Sequence, residues 1–147
     1  MKRDFGEFGV YFVALKLVLW HGKKILILRD KKYGWLDLPG GRTEDSEYER
    51  PLEKILAREV REEIGAVRYK LGNPVFQYRR WHHTRGVHIF TTVYEAQYVS
   101  GAIKLSDEHG SYEWLDPAAI RLTPQLFTTK EERRAFKKYF AAAGKKR

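Results

Sequence analysis

The amino-acid sequence predicts an α/β fold, in which a mixed β-sheet carries helices on its faces. Residues 10–20 form an almost continuous apolar run interrupted by Lys16, which is typical of a strand buried on both faces. Residues 58–65 differ, because their charged side chains recur at helical spacing. Two long segments with the composition of strands follow at residues 69–80 and 87–99. Strands on both sides of a helical segment indicate a sheet that packs against helices.

The first half of the chain contains three predicted strands. After the strand at residues 10–20, a turn at 21–22 reverses the chain and residues 24–29 alternate as a second strand. Residues 35–38 form a short third strand, which leads straight into a Pro-Gly-Gly turn at residues 39–41. A helix is then predicted downstream of this turn.

The second half adds two long strands, one short strand and one brief helix. A polar, aromatic turn at residues 81–86 joins the two long strands. Residues 112–115 form the short strand. The pair Asp116-Pro117 predicts the start of the brief helix, because Asp suits the N-cap and Pro suits the first helical position.

Length and composition indicate one domain with a real core. The chain has 147 residues, of which 43% are hydrophobic and 14% aromatic, and this excludes a disordered chain. No apolar run approaches the roughly 18 residues of a membrane span, and the first residues carry no signal-sequence pattern. Cysteine is absent, which excludes disulfides, thiolate metal sites and a cysteine nucleophile. We therefore expect a cytoplasmic protein without a membrane partner.

Three glutamates of the central helix carry most of the functional information. Glu59, Glu62 and Glu63 lie three and four positions apart, so they share one helix face. Carboxylates this close repel one another unless a cation lies between them. Oxygen ligands of this kind suit Mg²⁺ or Mn²⁺, which complete their coordination with waters and substrate phosphates. The chemistry implied is metal-assisted attack of water on a phosphoanhydride.

An ordinary charged helix face is the alternative interpretation of these residues. Arg58 and Glu62 are four positions apart and can form a helical ion pair without any functional role. This alternative does not explain why a Pro-Gly-Gly turn precedes the helix and why Gly65-Ala66 follows its last carboxylate. The ordered series of residues therefore favours a functional site.

The whole constellation resembles the Nudix box. That family pattern reads Gly, five residues, Glu, seven residues, and then Arg-Glu-apolar-any-Glu-Glu-any-Gly-apolar. Gly41 and Glu47 match the opening, and residues 58–66 match the closing half. Ten residues separate Glu47 from Arg58, so this chain has three residues more than the pattern. Pro51 favours a loop for them, because Pro suits the first turn of a helix and not its interior.

The resemblance implies a Nudix-type α/β/α sandwich over residues 8–143, within a single domain of residues 1–147 that ends in a short basic tail at 144–147. It also implies a metal-dependent hydrolase that cleaves the pyrophosphate linkage of a nucleoside diphosphate joined to another moiety. Nucleoside triphosphates and dinucleoside polyphosphates are the expected substrates. A small-molecule nucleotide is therefore the expected partner, and a homodimer stays open.

The resemblance also implies the ligands of the metal. Glu59, Glu62 and Glu63 would hold Mg²⁺ or Mn²⁺, and the carbonyl of Gly40 would add a backbone ligand. Gly40 and Gly41 would both take positive φ, which lets the backbone approach the metal and the phosphate closely. These residues form the predicted centre of the site.

Supporting roles are implied for two residues of the box. Arg58 would orient Glu59 and pair with Glu47, which keeps the metal ligands in register. Gly65 would end the helix. The three additional residues lie between Arg58 and Glu47.

A further acid is predicted outside the box. Many relatives carry an acid-His stretch before a Tyr-any-Trp strand, and residues 107–109 before residues 112–114 resemble it. Glu108 would then reach the metals from a loop, as an extra ligand or as the base that deprotonates water. A solvated loop acid is the alternative. Phosphate contacts are expected from four arginines, namely Arg29, Arg79, Arg80 and Arg85.

Positive charge is concentrated near the C-terminus. The net charge is +9, and residues 130–147 contain eight Lys and Arg against two Glu. A segment of this kind can bind nucleic acid through phosphate contacts. A packed helix is favoured, because Thr129 and Glu132 form a capping-box pattern, Phe136 belongs to an apolar stripe and Gly144 supplies a stop.

A binding module is the alternative to the enzyme. In this alternative, a catalytically weak or inactive Nudix-like domain uses its basic C-terminal segment to hold RNA or a nucleotide. The three helix carboxylates argue for the enzyme, because a pure binder has no use for an electrostatically expensive cluster. The three additional residues in the box are the feature that argues for the module.

Overall fold

The computed structural model describes residues 4–146, so residues 1–3 and Arg147 of the expected domain and basic tail lie outside the described residues. The strands are β1 (Tyr11–His21), β2 (Lys24–Asp30), β3 (Leu36–Asp37), β4 (Gly40–Arg42), β5 (Arg68–His82), β6 (Val87–Ser100) and β7 (His109–Leu115). The α-helices are α1 (Leu52–Ile64) and α2 (Lys130–Lys146). Neither of these described helices is long and apolar enough to cross a lipid bilayer.

The strands form one mixed sheet. Its main order is β3-β2-β1-β6-β5, with β4 paired to β1 and β7 paired to β2. β1 and β6 run parallel, with Leu15 opposite Thr92, whereas the other strand pairs are antiparallel. The predicted mixed sheet is therefore confirmed.

Helices cover both faces of the sheet, because successive side chains of the central strands point to opposite faces. On one face, Trp20 of β1 belongs to the buried cluster that contains Phe136 of α2. On the other face, Leu17 and Leu19 of β1 belong to the buried cluster that contains Leu56 of α1. The architecture is therefore an α/β/α sandwich, as the resemblance implied.

A proline precedes α1 and a glycine follows it. Residues 48–50 form a turn, and Pro51 occupies the N-cap position directly before the helix. The chain thus forms a loop before Pro51, as predicted, and not a longer helix. Gly65 has a φ of +89° and donates its N–H to the carbonyl of Arg61 at 3.0 Å, which ends the helix as expected.

Two predicted helix boundaries are wrong. Residues 116–117 start no helix, because the carboxylate of Asp116 accepts the N–H of Ala118 at 2.9 Å and closes a turn instead. Gly144 does not end α2, which continues through residue 146. A glycine in an exposed helix costs only about 1 kcal/mol relative to alanine, so the preceding helix can extend through it.

The α2 face of the core generates the first prediction. Phe136 is fully buried, whereas Phe8 is 79% exposed. Phe136→Ala should lower the free energy of unfolding by about 3–5 kcal/mol, because it leaves a cavity between α2 and the sheet. Phe8→Ala deletes the same atoms at an exposed position and should change it by less than about 0.5 kcal/mol. Urea denaturation of both variants measures the difference, and equal effects would contradict the packing of α2 on the sheet.

Candidate functional site

A cleft of about 1210 Å³ opens beside β4 and the C-terminal half of α1. Gly40 and Gly41 line it from the sheet, and Glu59, Glu62 and Glu63 line it from α1. The structure thus brings the predicted turn and the three predicted carboxylates to one surface. The cleft is also lined by residues 80–84, at and after the end of β5, and by residues 106–108 of the loop before β7.

The two glycines of the turn are needed for different reasons. Gly40 has a φ of +134°, and a Cβ there would collide with the carbonyl oxygen of Leu15. Gly41 does not have positive φ, which corrects the expectation for both glycines. Instead, a Cβ on Gly41 would occupy the position of the Glu59 carboxylate. The missing side chain of Gly41 therefore makes the space in which Glu59 lies.

Arg58 binds three carboxylates at once. Its Nε and Nη2 donate to the two oxygens of Glu47 at 3.0 and 2.6 Å. Nη2 also donates to Glu59 at 2.8 Å, and Nη1 donates to Glu62 at 2.9 Å. The hydrogen bonds from Arg58 are the main cause that lowers the pKa of Glu47 below its ordinary value. The expected contact between Arg58 and Glu47 is thus formed, and the loop at residues 48–50 does not separate them.

The three helix glutamates lie in different environments. The side chain of Glu62 is 60% exposed, that of Glu59 is 14% exposed and that of Glu63 is 8% exposed. Burial is the main cause that raises the pKa of Glu59, and the neighbouring carboxylates of Glu62 and Glu47 raise it further against the influence of Arg58. A carboxylate in this position is stabilised in its charged form by any cation that enters the cleft.

Glu63 is contacted from the loop before β7. The hydroxyl of Ser106 donates to its Oε2 at 3.0 Å. Its Oε1 lies 2.5 Å from Nδ1 of His109, a short contact that is poorly aligned for a hydrogen bond. Nε2 of His109 lies 3.1 Å from Oδ2 of Asp37. The imidazole therefore bridges a glutamate of α1 and an aspartate of β3.

A buried ion network continues from Asp37. Nζ of Lys16 lies 3.0 Å and Nη1 of Arg80 lies 2.8 Å from Oδ1 of Asp37. Arg80 also lies 3.4 Å from the fully buried carboxylate of Glu132 on α2. Burial raises the pKa of Asp37, but Arg80, Lys16 and His109 outweigh this effect and hold it well below its ordinary value.

The charge of His109 is set by the same network. Burial lowers the pKa of His109, but its contacts with the carboxylates of Asp37 and Glu63 outweigh burial and raise the pKa to about 9. The two carboxylates on either side of the ring therefore favour the charged form of the imidazole.

Within residues 4–146, one group of three side chains has potential metal-ligand atoms that all lie within 4.8 Å of one another. The group consists of Asp37, Glu63 and His109. His109 turns opposite ring nitrogens toward the two carboxylates, so the ring itself stands where an ion would have to be. Lys16 and Arg80 already balance the charge of Asp37. We therefore interpret this set as an ion network, of which Asp37 and Glu63 also line the cleft.

The α1 glutamates offer a different set of donors. All of these donors are carboxylate oxygens, which hard divalent cations prefer, and Gly40 lines the same cleft. Glu63 Oε1 is buried without an aligned hydrogen-bond donor, and the missing Cβ of Gly41 leaves room for the carboxylate of Glu59. Glu62 accepts a hydrogen bond from Arg58 at Oε1 alone, and its side chain is mostly exposed.

The other predicted site residues are placed unevenly. Glu108 is exposed on the rim of the cleft. Of the four predicted arginines, Arg80 lines the cleft, but its guanidinium group is held by Asp37 and Glu132. Arg29 pairs with Glu113, Arg79 pairs with Glu131, and Arg85 lies in the exposed turn after β5, so these three do not line the described cleft.

Several residues of the site were not predicted. Asp37, His109 and Lys16 form the buried ion network, and Lys31, Lys32 and Arg42 are the cations that line the rim. The signal for the network was available, because Lys16 is the charge within an otherwise apolar strand and a buried lysine needs an acidic partner. No comparable signal identifies the rim cations, since surface lysine and arginine are common.

Comparisons with known proteins identify the family of the chain. Residues 10–140 match the NUDIX domain. A MutT protein from Methanosarcina mazei Go1 is 26% identical with a TM-score of 0.73, and the alignment covers 93% of this chain and 97% of that one. A MutT NUDIX hydrolase from Burkholderia pseudomallei is 24% identical with a TM-score of 0.65, with coverage of 87% and 97%.

A more distant likeness extends to an ADP-ribose pyrophosphatase from Streptococcus suis 89-1591. It is 14% identical with a TM-score of 0.63 over 91% of this chain and 92% of that one, and it therefore supports the fold alone. No curated protein sequence matches the chain. The family match extends over most of the chain and includes both the Gly-Gly turn and the carboxylate helix. The chain therefore belongs to the NUDIX domain family and is a Nudix hydrolase, a pyrophosphohydrolase of nucleoside diphosphate-linked compounds.

Proposed function

We propose that this Nudix hydrolase uses Mg²⁺ or Mn²⁺ to cleave the pyrophosphate linkage of nucleoside triphosphates or dinucleoside polyphosphates. The observation that carries the proposal is the joint position of three carboxylates and the Gly40-Gly41 turn on one cleft. Glu59, Glu62 and Glu63 would hold the cation, and the carbonyl of Gly40 would complete the protein ligands. A bound divalent ion neutralises the pyrophosphate and makes a bound water a stronger acid.

The remaining residues would position these ligands and the substrate. Arg58 holds Glu59 through a hydrogen bond and is itself held by the buried carboxylate of Glu47. Glu108 on the rim is proposed as the base that takes a proton from water, or as a further ligand. For the substrate phosphates, the rim cations Lys31, Lys32 and Arg42 add to the predicted Arg80, whose guanidinium is already shared by two acids.

A binding module without turnover is the second candidate function. Its motivation is the positive charge of α2, although this helix also packs against the sheet through the buried side chains of Phe136 and Phe140. A screen of the purified protein against a panel of nucleotides, with Mg²⁺ or Mn²⁺ and with EDTA, tests both candidates. The enzyme should form new products only when the metal is present, namely a nucleoside monophosphate and pyrophosphate from a nucleoside triphosphate, or two nucleotides from a dinucleoside polyphosphate. Chromatography of the reaction mixture detects either outcome, and nucleotide binding without any new product would support the module.

Loss of a metal ligand should remove most of the activity. Glu63→Gln and Glu62→Gln should each lower kcat by roughly 100-fold or more, because lost charge stabilisation of several kcal/mol has this effect on rate. Glu53→Gln is the matched control, since Glu53 is an exposed carboxylate in the first turn of the same helix. Initial rates and thermal unfolding of all variants are compared. Near-full activity of the Glu62, Glu63 double variant with intact folding would show that the site is assigned wrongly.

Arg58 and Glu47 should behave as one unit. Arg58→Ala and Glu47→Ala should each lower activity, and the double variant should be little worse than the worse single variant. The reason is that either change removes the bidentate contact, with N–O distances of 3.0 and 2.6 Å, that holds the guanidinium beside Glu59. Steady-state rates of the four proteins of the cycle measure the coupling. Strictly additive losses would mean that the two residues act independently.

The basic tail should be dispensable for small substrates. A chain that ends at Gly144 lacks Lys145, Lys146 and Arg147, and Lys145 is not among the residues that line the cleft. Its kcat/KM with nucleotides should therefore stay within about twofold of the full chain, since salt screens charges that lie outside a site. Rates at two salt concentrations measure this. A large loss at both would place the tail on the active surface.

A further inference from the structure

The carboxylate of Glu63 is held by two residues that lie outside its own helix. Ser106 donates its hydroxyl to Oε2 at 3.0 Å, and its backbone N–H donates to the carbonyl of Glu63 at 2.9 Å. His109 places Nδ1 2.5 Å from Oε1. The side chain of Glu63 is 8% exposed, so little water competes for these oxygens. The two oxygens of this carboxylate are therefore contacted from the loop before β7 and from the first residue of β7.

His109 is itself held in one orientation. Its Nε2 lies 3.1 Å from Oδ2 of Asp37, and its side chain is 4% exposed. Asp37 cannot follow a movement of the ring, because Lys16 of β1 and Arg80 of β5 hold its other oxygen. Arg80 in turn contacts Glu132 of α2. The imidazole is thus fixed by ions from several strands and from the opposite helix.

We propose that His109 and Ser106 are positioning residues, which orient the Glu63 carboxylate for the divalent cation. The proposal rests on the proposed function, in which Glu63 is a ligand. A carboxylate offers about four lone-pair sites, so oxygens that each accept one contact can still bind an ion. Partners that orient metal ligands in this way typically change metal affinity by about 10- to 100-fold. The two residues act through Glu63 and do not touch the substrate.

Two amide variants of His109 separate its two contacts. The amide nitrogen of asparagine stands near the position of Nδ1, so His109→Asn keeps a donor toward Glu63 and loses the contact with Asp37. The longer glutamine places its amide nitrogen near the position of Nε2, so His109→Gln keeps the contact with Asp37 and loses that with Glu63. Both variants remove the imidazole and its charge, so each serves as the control for the other.

The measurement is binding of Mn²⁺ to the nucleotide-free protein, followed by titration calorimetry or by the EPR signal of free Mn²⁺. His109→Gln should weaken Mn²⁺ binding about tenfold or more. His109→Asn should stay within about threefold of the wild type, because its donor still orients Glu63. Wild-type affinity of His109→Gln would overturn the proposal, as would an equal loss in both variants. Thermal unfolding checks that each variant is folded.

Ser106 supplies a second test if the His109 variants do not fold. Ser106→Ala removes one hydroxyl from a loop. It should weaken Mn²⁺ binding by up to about tenfold, which is the lower end of the effect expected for a residue that orients a metal ligand. Ser106→Thr keeps the hydroxyl and should restore the affinity. Wild-type affinity of Ser106→Ala would overturn the role of Ser106. Absence of Mn²⁺ binding by the wild type, or wild-type affinity of Glu63→Gln, would instead overturn the proposed function itself.

Discussion

Asp37 is a buried carboxylate that Lys16, Arg80 and His109 share, and much of the molecule depends on this arrangement. A buried charge without partners is unstable, and removal of one partner from such a network typically costs roughly 3–5 kcal/mol. These three partners of Asp37 come from distant parts of the chain, namely the strands β1, β5 and β7. Their convergence therefore fixes the relative positions of these elements. Glu63 and Glu132 extend the same network to α1 and α2.

The three glutamates of α1 differ in how strongly their side chains are held by neighbouring residues. Glu59 lies against Gly41 and is bound by Arg58, and Glu63 is held by Ser106 and His109. Glu62 is mostly exposed and has one contact, with Arg58, among the contacts described. A site of this kind combines two ordered oxygen ligands with one that can turn. Such a combination suits an ion that keeps several waters and exchanges some of them for substrate phosphate.

Local patterns were sufficient to predict most of the fold and the glycines and glutamates that lie together on the cleft. The apolar run of β1 and the carboxylate spacing of α1 are properties of short segments, and both appear in the structure where the sequence predicts them. The bidentate pair of Arg58 and Glu47 also follows from the order of residues in the box. Helix boundaries were less predictable, because Gly144 can lie within an exposed helix as well as after it.

Contacts between distant segments could not be predicted from the sequence. Lys16 lies on β1 and Asp37 lies on β3, and these strands do not pair with each other. Nothing in either segment identifies the other as its ion-pair partner. The role of Gly41 is also non-local, since a side chain of α1 occupies the space beside it. For the same reason, three of the predicted arginines lie away from the cleft, where nearby acids hold two of them. The rest of the site is decided by which surfaces the fold brings together.

The parallel pairing of β1 with β6 has a consequence for how the chain folds during synthesis. β1 is the central strand, yet one of its two long edges is completed by residues 88–97, which are translated only after α1 and β5. Contacts between segments so far apart in sequence form slowly, because a large loop must be closed first. This edge of β1 therefore stays unpaired until β6 has left the ribosome, and the face of β1 that packs on α2 stays uncovered for longer still. During this interval the nascent chain is most exposed to aggregation and most in need of chaperones.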